Sequence, residues 1–425
     1  MIVTLIISLF VFFFLGIPIA ISLGLASVVA VWIDGGSSLL ILAQRSFTSI
    51  DSFPLMAVPF FILVGTLMES GGISKRLINF ANTLTGHFPG GLGIVVVVTS
   101  MFFAAIAGSG AATVAAVGSI LIPAMVKKGY DRKFAGATQA ISGELGVIIP
   151  PSVPLILYGV ATGTSISALF MAGIIPGILI GSSLIFLVYY IAKKRGYKGV
   201  EKATSAEKWK AFKDAFLALL MPFIILGGIY GGVFTPTEAA GIAVAYAFII
   251  GFFIYKEIKV KEIIPILTKS VITTSVVMFI IANIGLFSWI LSREQIPQHV
   301  SAFFTSISES PVVFLLLINV LLLLVGMFME TGAAIIILAP LLTPVAMSFG
   351  VDPVQFGMIM VVNLAIGMCT PPVGVNLFIS CQIAKIKLEE ITKALIPFYI
   401  VMLICLLLIT YIPGISTWLP NLLKN

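Results

Sequence analysis

The sequence predicts an all-α polytopic membrane protein made of two inverted repeats, each with a re-entrant helical hairpin and a broken helix. Three observations carry that expectation. The chain of 425 residues is 60% hydrophobic and 10% charged, which excludes a soluble domain and leaves room for about ten spans of roughly 20 residues. The string Gly146-Val147-Ile148-Ile149-Pro150-Pro151 recurs as Gly367-Met368-Cys369-Thr370-Pro371-Pro372, at an offset of 221. Lysine and arginine gather in alternate loops, the pattern that sets membrane orientation.

The register extends past the proline pairs. Pro89 matches Pro311 and Gly110-Ala111-Ala112 matches Gly332-Ala333-Ala334 at 222, while Gly129 and Asp131 match Gly350 and Asp352 at 221. An ordered set of this kind indicates duplication. In the first repeat, apolar runs give spans at 2–16, 18–33 and 54–69. The first run lacks a basic leader and a small-residue cleavage site, so it reads as a retained span rather than a signal peptide. A pair at 91–107 and 111–127 surrounds Gly108-Ser109-Gly110, followed by a broken span at 133–162 and a whole one at 166–192. Residues 193–213 are polar and basic and read as a linker. The second repeat gives 214–233, 236–256 and 270–292, then a pair at 311–329 and 332–349. A broken span at 354–380 and a last span at 389–412 complete it. Stretches 36–53 and 257–269 are amphipathic, and too short or too polar to cross. They read as interfacial arms, or as plain structured loops.

Whether the hairpins cross or re-enter, each half crosses an odd number of times, so the halves are inverted. With the basic linker inside, all of the 24 Lys and Arg except Arg45, Arg293 and Lys424 fall inside. Both termini then lie outside. The net charge of +7 reports orientation, and nucleic-acid binding is not expected. Cys369, Cys381 and Cys405 have no metal-ligand spacing, and no nucleotide loop, zinc motif or nucleophile elbow is present. Neither an enzyme nor an organic cofactor is expected.

The prolines carry the chemistry. A proline inside a helix removes one N–H from the carbonyl four residues back, here those of Gly146, Val147, Gly367 and Met368. Bare carbonyls at membrane depth need protein, water or an ion, and matched breaks in two halves point to a binding site. Sodium suits neutral oxygen cages, by the logic that governs other hard cations. The expected first seat combines Ser109 and Gly110 with Gly146, Val147, Ile149 and Pro150. The second combines Thr331 and Gly332 with Gly367, Met368 and Thr370. Helix N-termini at Ala111, Ser152, Ala333 and Val373 present positive dipole ends to an anion. Ser109, Ser152, Glu330 and Thr370 are the candidate substrate contacts. Blander readings stand beside these: a simple proline kink, small-residue packing at the first tip, and a paired or headgroup-facing carboxylate at Glu330. Glu144 either adds negative charge near an ion or bonds the first hairpin.

Three strings, GSGAATVAAVGSILIPAMVKKGYD, GVIIPPSVPLILYG and GVDPVQFGMIMVVNLAIGMCTPPVGVNLF, closely resemble the large membrane subunit of tripartite ATP-independent periplasmic (TRAP) transporters. The resemblance covers nearly the whole chain. It implies a sodium-driven importer of a small carboxylate in the bacterial inner membrane. A small four-span membrane subunit and a soluble periplasmic binding protein are its implied partners. The implied fold is that of the ion transporter superfamily, with an elevator domain formed by 91–162 and 311–380. The scaffold is then 1–90, 163–213, 214–310 and 381–425. At least two sodium ions are implied where hairpin tips meet broken helices, matching the two seats above. The run SGELGVIIPPS and a first tip without a following acid depart from the dicarboxylate pattern. They favour sialic acid, with C4-dicarboxylates and other sugar acids next. The alternative is a stand-alone sodium–dicarboxylate symporter of the same superfamily, which needs no binding protein.

Overall fold

The computed structural model describes every residue except 36, 37, 39 and 423–425, so Lys424 and part of the first arm lie outside the described residues. The first repeat holds α1 (Ile2–Phe14), α2 (Ile19–Asp34), α3 (Leu40–Ile50), α4 (Ala57–Ser70) and α5 (Ile73–Thr85). Its hairpin is α6 (Gly91–Ala107) and α7 (Gly110–Lys127). The broken helix is α8 (Arg132–Gly143), α9 (Leu145–Ile148) and α10 (Val153–Thr162), and α11 (Ile166–Arg195) closes the repeat. The second repeat holds α12 (Ser205–Tyr230), α13 (Pro236–Ile249), α14 (Val260–Arg293) and α15 (Ile296–Ile307). Its hairpin is α16 (Pro311–Gly326) and α17 (Thr331–Ser348), its broken helix α18 (Pro353–Met368) and α19 (Val375–Ala384). Helices α20 (Leu388–Tyr411) and α21 (Gly414–Leu422) complete the chain. Among the described residues, eight helices are long and apolar enough to cross a membrane, or ten if two bent pairs each count as one.

Several expectations are corrected. The stretch 257–269 is not a separate arm, because 260–269 is the start of one continuous helix, α14. No glycine interrupts that helix before Gly285, whereas the first arm, α3, is cut from α4 by a turn at Asp51 to Pro54. The linker is shorter than predicted. Thr204 accepts from the Glu207 amide at 3.2 Å and donates its own amide to the Glu207 carboxylate at 2.7 Å. This capping box starts α12 early and leaves 196–204 as the connection. Two further helices, α5 and α15, lie between the expected spans. α5 buries Ile73, Leu77, Ile78 and Ala81 while Lys75 stays exposed, a one-sided helix too polar to register as a span.

The inversion can be measured along α20. Glu390, near its start, pairs with Lys133 at 3.3 Å, beside the open end of the α6–α7 hairpin. Tyr411, at its end, donates to the Val312 carbonyl at 3.2 Å, at the open end of the α16–α17 hairpin. Between these, the Tyr399 hydroxyl donates to the carbonyl of Cys369 at the second break. Twenty-four helical residues span about 36 Å, so the hairpins enter from opposite ends and their tips meet midway. The repeats are also interlocked. α7 packs on α8 and on α19, while α17 packs on α18 and on α10. Each hairpin thus rests on half of its own broken helix and half of the other's.

Buried hydrogen bonds fix the register. Asn363 donates to Asn319 at 2.6 Å, and Asn319 donates to Thr410 at 3.2 Å. The Tyr158 hydroxyl of α10 donates to the Pro353 carbonyl at 2.7 Å and lies 3.1 Å from the Thr343 hydroxyl of α17. Tyr158→Phe should therefore cost about 1–2 kcal/mol, since it strands buried polar partners. The readout is a lower midpoint of thermal unfolding in detergent.

Candidate functional site

The first hairpin tip is a turn shaped by glycine. Gly108 has φ of +61°, a conformation that L side chains disfavour. Ser109 is extended and caps α7, accepting from the Ala112 amide at 3.4 Å. The Ser109 carbonyl accepts from the Thr113 amide at 3.1 Å and the Thr113 hydroxyl at 2.8 Å. This tip is tied to the break, because the Val153 amide donates to the Gly108 carbonyl at 3.2 Å. Gly146 lies against it: a Cβ there would meet Ser109 O and Thr113 Oγ1, each at 2.5 Å. Beyond Gly146 the chain passes through extended Ile149 and the cis Pro150–Pro151 bond to Ser152, the cap of α10. Pro150 has no N–H for the Gly146 carbonyl. The Val147 carbonyl, expected bare, instead accepts from the Ser152 hydroxyl at 2.5 Å. It keeps one lone pair.

The second tip repeats the plan with different chemistry. Glu330 caps α17, its carboxylate accepting from the Ala333 amide at 3.2 Å. The Val373 amide donates to the Met327 carbonyl at 3.3 Å, the counterpart of the Val153–Gly108 bond. Gly326 and Gly367 are in backbone contact, so a Cβ on Gly367 would overlap the Cα and carbonyl carbon of Gly326. The Thr331 hydroxyl donates to the Met368 sulfur at 2.8 Å. Gly367's carbonyl is not bare either, for it accepts from the Thr370 amide at 2.8 Å. The Thr370 hydroxyl donates to Ile366 O at 2.8 Å. Two helices begin later than expected, α10 at Val153 rather than Ser152 and α19 at Val375 rather than Val373.

Glu144 is fully buried and joins the repeats. One carboxylate oxygen accepts from Asn376 Nδ2 at 2.8 Å and from the Cys369 thiol at 2.7 Å. Its partners thus come from the second repeat, not from the first hairpin. The other oxygen has no partner among the described residues, and neither has Asn376 Oδ1. No salt bridge among the described residues involves Glu144. The cluster borders the first tip, since a Cβ on Gly110 would lie 2.9 Å from Asn376 Nδ2. Sequence reasoning missed Asn376. Its only local mark is a lone carboxamide in the run Val375-Asn376-Leu377, just past the second proline pair, which does not reveal that it meets Glu144.

A cavity of about 130 Å³ lies between the two tips. Of the expected residues, Ser109, Gly110, Val147, Glu330, Gly332 and Met368 line it. Gly146, Ile149, Pro150, Thr331, Gly367 and Thr370 are not brought to it, and pack or bond behind the tips. Ser152 is also kept away, buried with its hydroxyl on Val147. The unforeseen wall is α14, which contributes Thr273, Val277 and Ile280, with Leu157 of α10 opposite. Oxygen donors at the tips, an apolar wall and two helix N-termini suit a small charged solute held with a hard cation. Among the described residues, no group of three or more His, Cys, Asp or Glu could hold a metal ion.

Residues 6–415 match the family model described as "Tripartite ATP-independent periplasmic transporter, DctM component". The isethionate TRAP transporter permease protein of Oleidesulfovibrio alaskensis is 46% identical over 405 residues, covering 95% of this chain and 64% of that protein. The C4-dicarboxylate TRAP transporter large permease protein of Rhodobacter capsulatus is 41% identical, covering 96% of each chain. The sialic acid TRAP transporter large permease protein of Vibrio cholerae is 42% identical, also covering 96% of each. In fold, the chain is similar to the YdaH transporter of Alcanivorax borkumensis, with a TM-score of 0.64, 18% identity, and coverage of 88% and 87%. Family match, relatives and the hairpin-and-break architecture agree: this chain belongs to the DctM family, the large permease components of tripartite ATP-independent periplasmic transporters.

Proposed function

We propose that the chain is the permease of a sodium-coupled importer of a small organic anion in the bacterial inner membrane, with both termini periplasmic. One observation carries the reading: two hairpin tips, entering from opposite ends, converge on one cavity, each docked on a proline-broken helix. We assign the first sodium seat to Ser109, Gly110, Gly146, Val147, Ile149 and Pro150, and the second to Thr331, Gly332, Gly367, Met368 and Thr370. A carbonyl that already accepts one hydrogen bond can still ligate through its second lone pair. The anion is assigned to Ser109 and the N-terminus of α7, whose cap is neutral. The N-terminus of α17 is already occupied by the Glu330 carboxylate, so Glu330 is assigned to hydroxyl or amide groups of the substrate. Ser152 and Thr370 act on this reading through the backbone of the breaks, not as substrate contacts.

The moving domain is proposed as 91–162 with 311–380, sliding against a scaffold that includes α14. A small four-span subunit and a soluble periplasmic receptor are the proposed partners. The relatives are named for isethionate, C4-dicarboxylate, sialic acid and 2,3-diketo-L-gulonate. Their identities, between 37% and 46%, favour no single acid, so the substrate is proposed only as a small organic anion.

The test is uptake of labelled succinate, N-acetylneuraminate and isethionate into proteoliposomes holding the complete complex and its receptor. Uptake is expected with sodium outside and not with potassium. Equal rates in the two salts would sink the coupling.

A further inference from the structure

We propose that Arg45, with Ser49, Ser288, Ser292 and Trp289, forms an outer receiving site for the carboxylate or sulfonate of the transported anion. This site precedes the central cavity on the path inward. The inference rests on the organic-anion reading above and extends it to a place and a residue that the paired hairpins do not supply.

A second cavity, of about 490 Å³, opens between α3, α10 and α14. It adjoins the central cavity, because Leu157 and Ile336 line both. Helix α14 runs along the two: Ser288 and Ser292 face the outer cavity, Val277 and Thr273 the inner one. From Ser288 to Val277 is about 16 Å along a helix. The polar lining of the outer cavity is one cation, three serine hydroxyls and the Trp289 indole, with no carboxylate among them.

Arg45 stands apart from the other cations of the chain. It is one of only three basic residues outside the basic loops, a face from which positive charge is normally depleted. Among the described residues it forms no salt bridge. Asp34 is engaged by Arg293 at 3.9 Å and by the terminal amine at 3.8 Å. The guanidinium of Arg45 lies 5.7 Å from the centre of the Trp289 ring, which also carries Arg293 at 5.6 Å, so the indole holds it at the cavity wall. The arm is seated by close packing of Ser49 on Gly285. An oriented guanidinium presents a fork of donors that matches a carboxylate or sulfonate in two hydrogen bonds. The Ser288 and Ser292 hydroxyls alongside donate to the remaining lone pairs, while Ser49 donates to the Arg45 carbonyl at 2.6 Å and so fixes the arm. A cationic mouth with apolar walls also raises the local concentration of anions before they enter.

Trp289 lines this cavity and serves as the reporter. Trp32, Trp209 and Trp418 are 70%, 58% and 58% exposed, so their replacement by phenylalanine leaves Trp289 alone with little disturbance. The purified single-tryptophan protein, in sodium and without receptor, is titrated with succinate, N-acetylneuraminate and isethionate. A parallel arm measures uptake of the same three acids by the complete complex. At least one acid should change Trp289 fluorescence saturably. Arg45→Ala should weaken that binding about tenfold, as loss of a charge-assisted hydrogen bond does, and Arg45→Lys should restore part of it. Choline chloride at constant sodium should weaken binding to the parent protein and leave Arg45→Ala nearly unaffected. An equal Kd in Arg45→Ala, or a silent Trp289 in a protein that transports, overturns the receiving site. If none of the three acids is bound or imported, the organic-anion reading itself falls and the receiving site with it.

Discussion

Gly367→Ala should reduce uptake to background, the largest single-residue effect expected in this chain. A methyl at 367 has nowhere to go, because its neighbours are the Cα, carbonyl carbon and carbonyl oxygen of Gly326. Backbone cannot rotate aside as a long side chain can. Accommodating the methyl requires α16 to move off α18, at a cost of about 1–3 kcal/mol or somewhat more. That movement would pull the second tip from the break that holds it through Val373 and Met327. Gly146→Ala strikes the first tip in the same way, through Ser109 O and Thr113 Oγ1, and should cost a similar amount. Gly241→Ala is the control. It lies inside α13 with nothing within 4 Å of the added methyl, so it should stabilise by about 0.5–1 kcal/mol. Uptake and thermal midpoints of the three variants together separate a tip effect from a general dislike of alanine. Wild-type uptake in Gly367→Ala would mean the Gly326–Gly367 contact is dispensable.

The parts of this fold legible in sequence were those written as breaks in an apolar background. The matched proline pairs, Gly108-Ser109-Gly110 and the charge map located both hairpins, both breaks and the inversion, which the bonds along α20 bear out. What escaped was one-sided or continuous. Helix α5 shows only a stripe at Ile73, Leu77, Ile78 and Ala81, and a search for span-length runs passes over such a stripe. The second arm merged into α14 because no residue between Val260 and Gly285 halts a helix except Pro265, which the helix absorbs. At the site, backbone roles were foreseen better than hydrogen bonds. Proline dictates which carbonyls lose a helical partner, but not which group replaces it. Ser152 and the Thr370 amide took up two of those carbonyls by local turns. Asn376 and α14 were illegible for another reason. Their place in the site depends on how the second repeat packs against the first, and no local pattern encodes that.

Glu144→Gln separates charge from structure at the junction of the repeats. The carboxylate is fully buried, hydrogen-bonded on one oxygen and unpartnered on the other, with no Lys or Arg in a salt bridge to it among the described residues. A buried charge without a counter-charge is costly, and a sodium ion in the proposed first seat would offset that cost. Glutamine keeps an acceptor for Asn376 and Cys369 while removing the charge. The variant should therefore fold, and in potassium it should be at least as stable as the parent. Its response to sodium should shrink, with the concentration for half-maximal uptake rising about tenfold, the factor that corresponds to about 1.4 kcal/mol. At a sodium concentration one hundred times the parent's Kd, ion binding stabilises the parent by about 2.7 kcal/mol, and a tenfold weaker site leaves about 1.4 kcal/mol. Thermal midpoints in sodium and in potassium measure that difference directly. Glu144→Ala is the companion. It strands Asn376 and Cys369 and opens a void, so it should lose about 2–4 kcal/mol in either salt. An undiminished sodium response in Glu144→Gln would make the carboxylate a structural tie between repeats and leave the first seat a neutral cage.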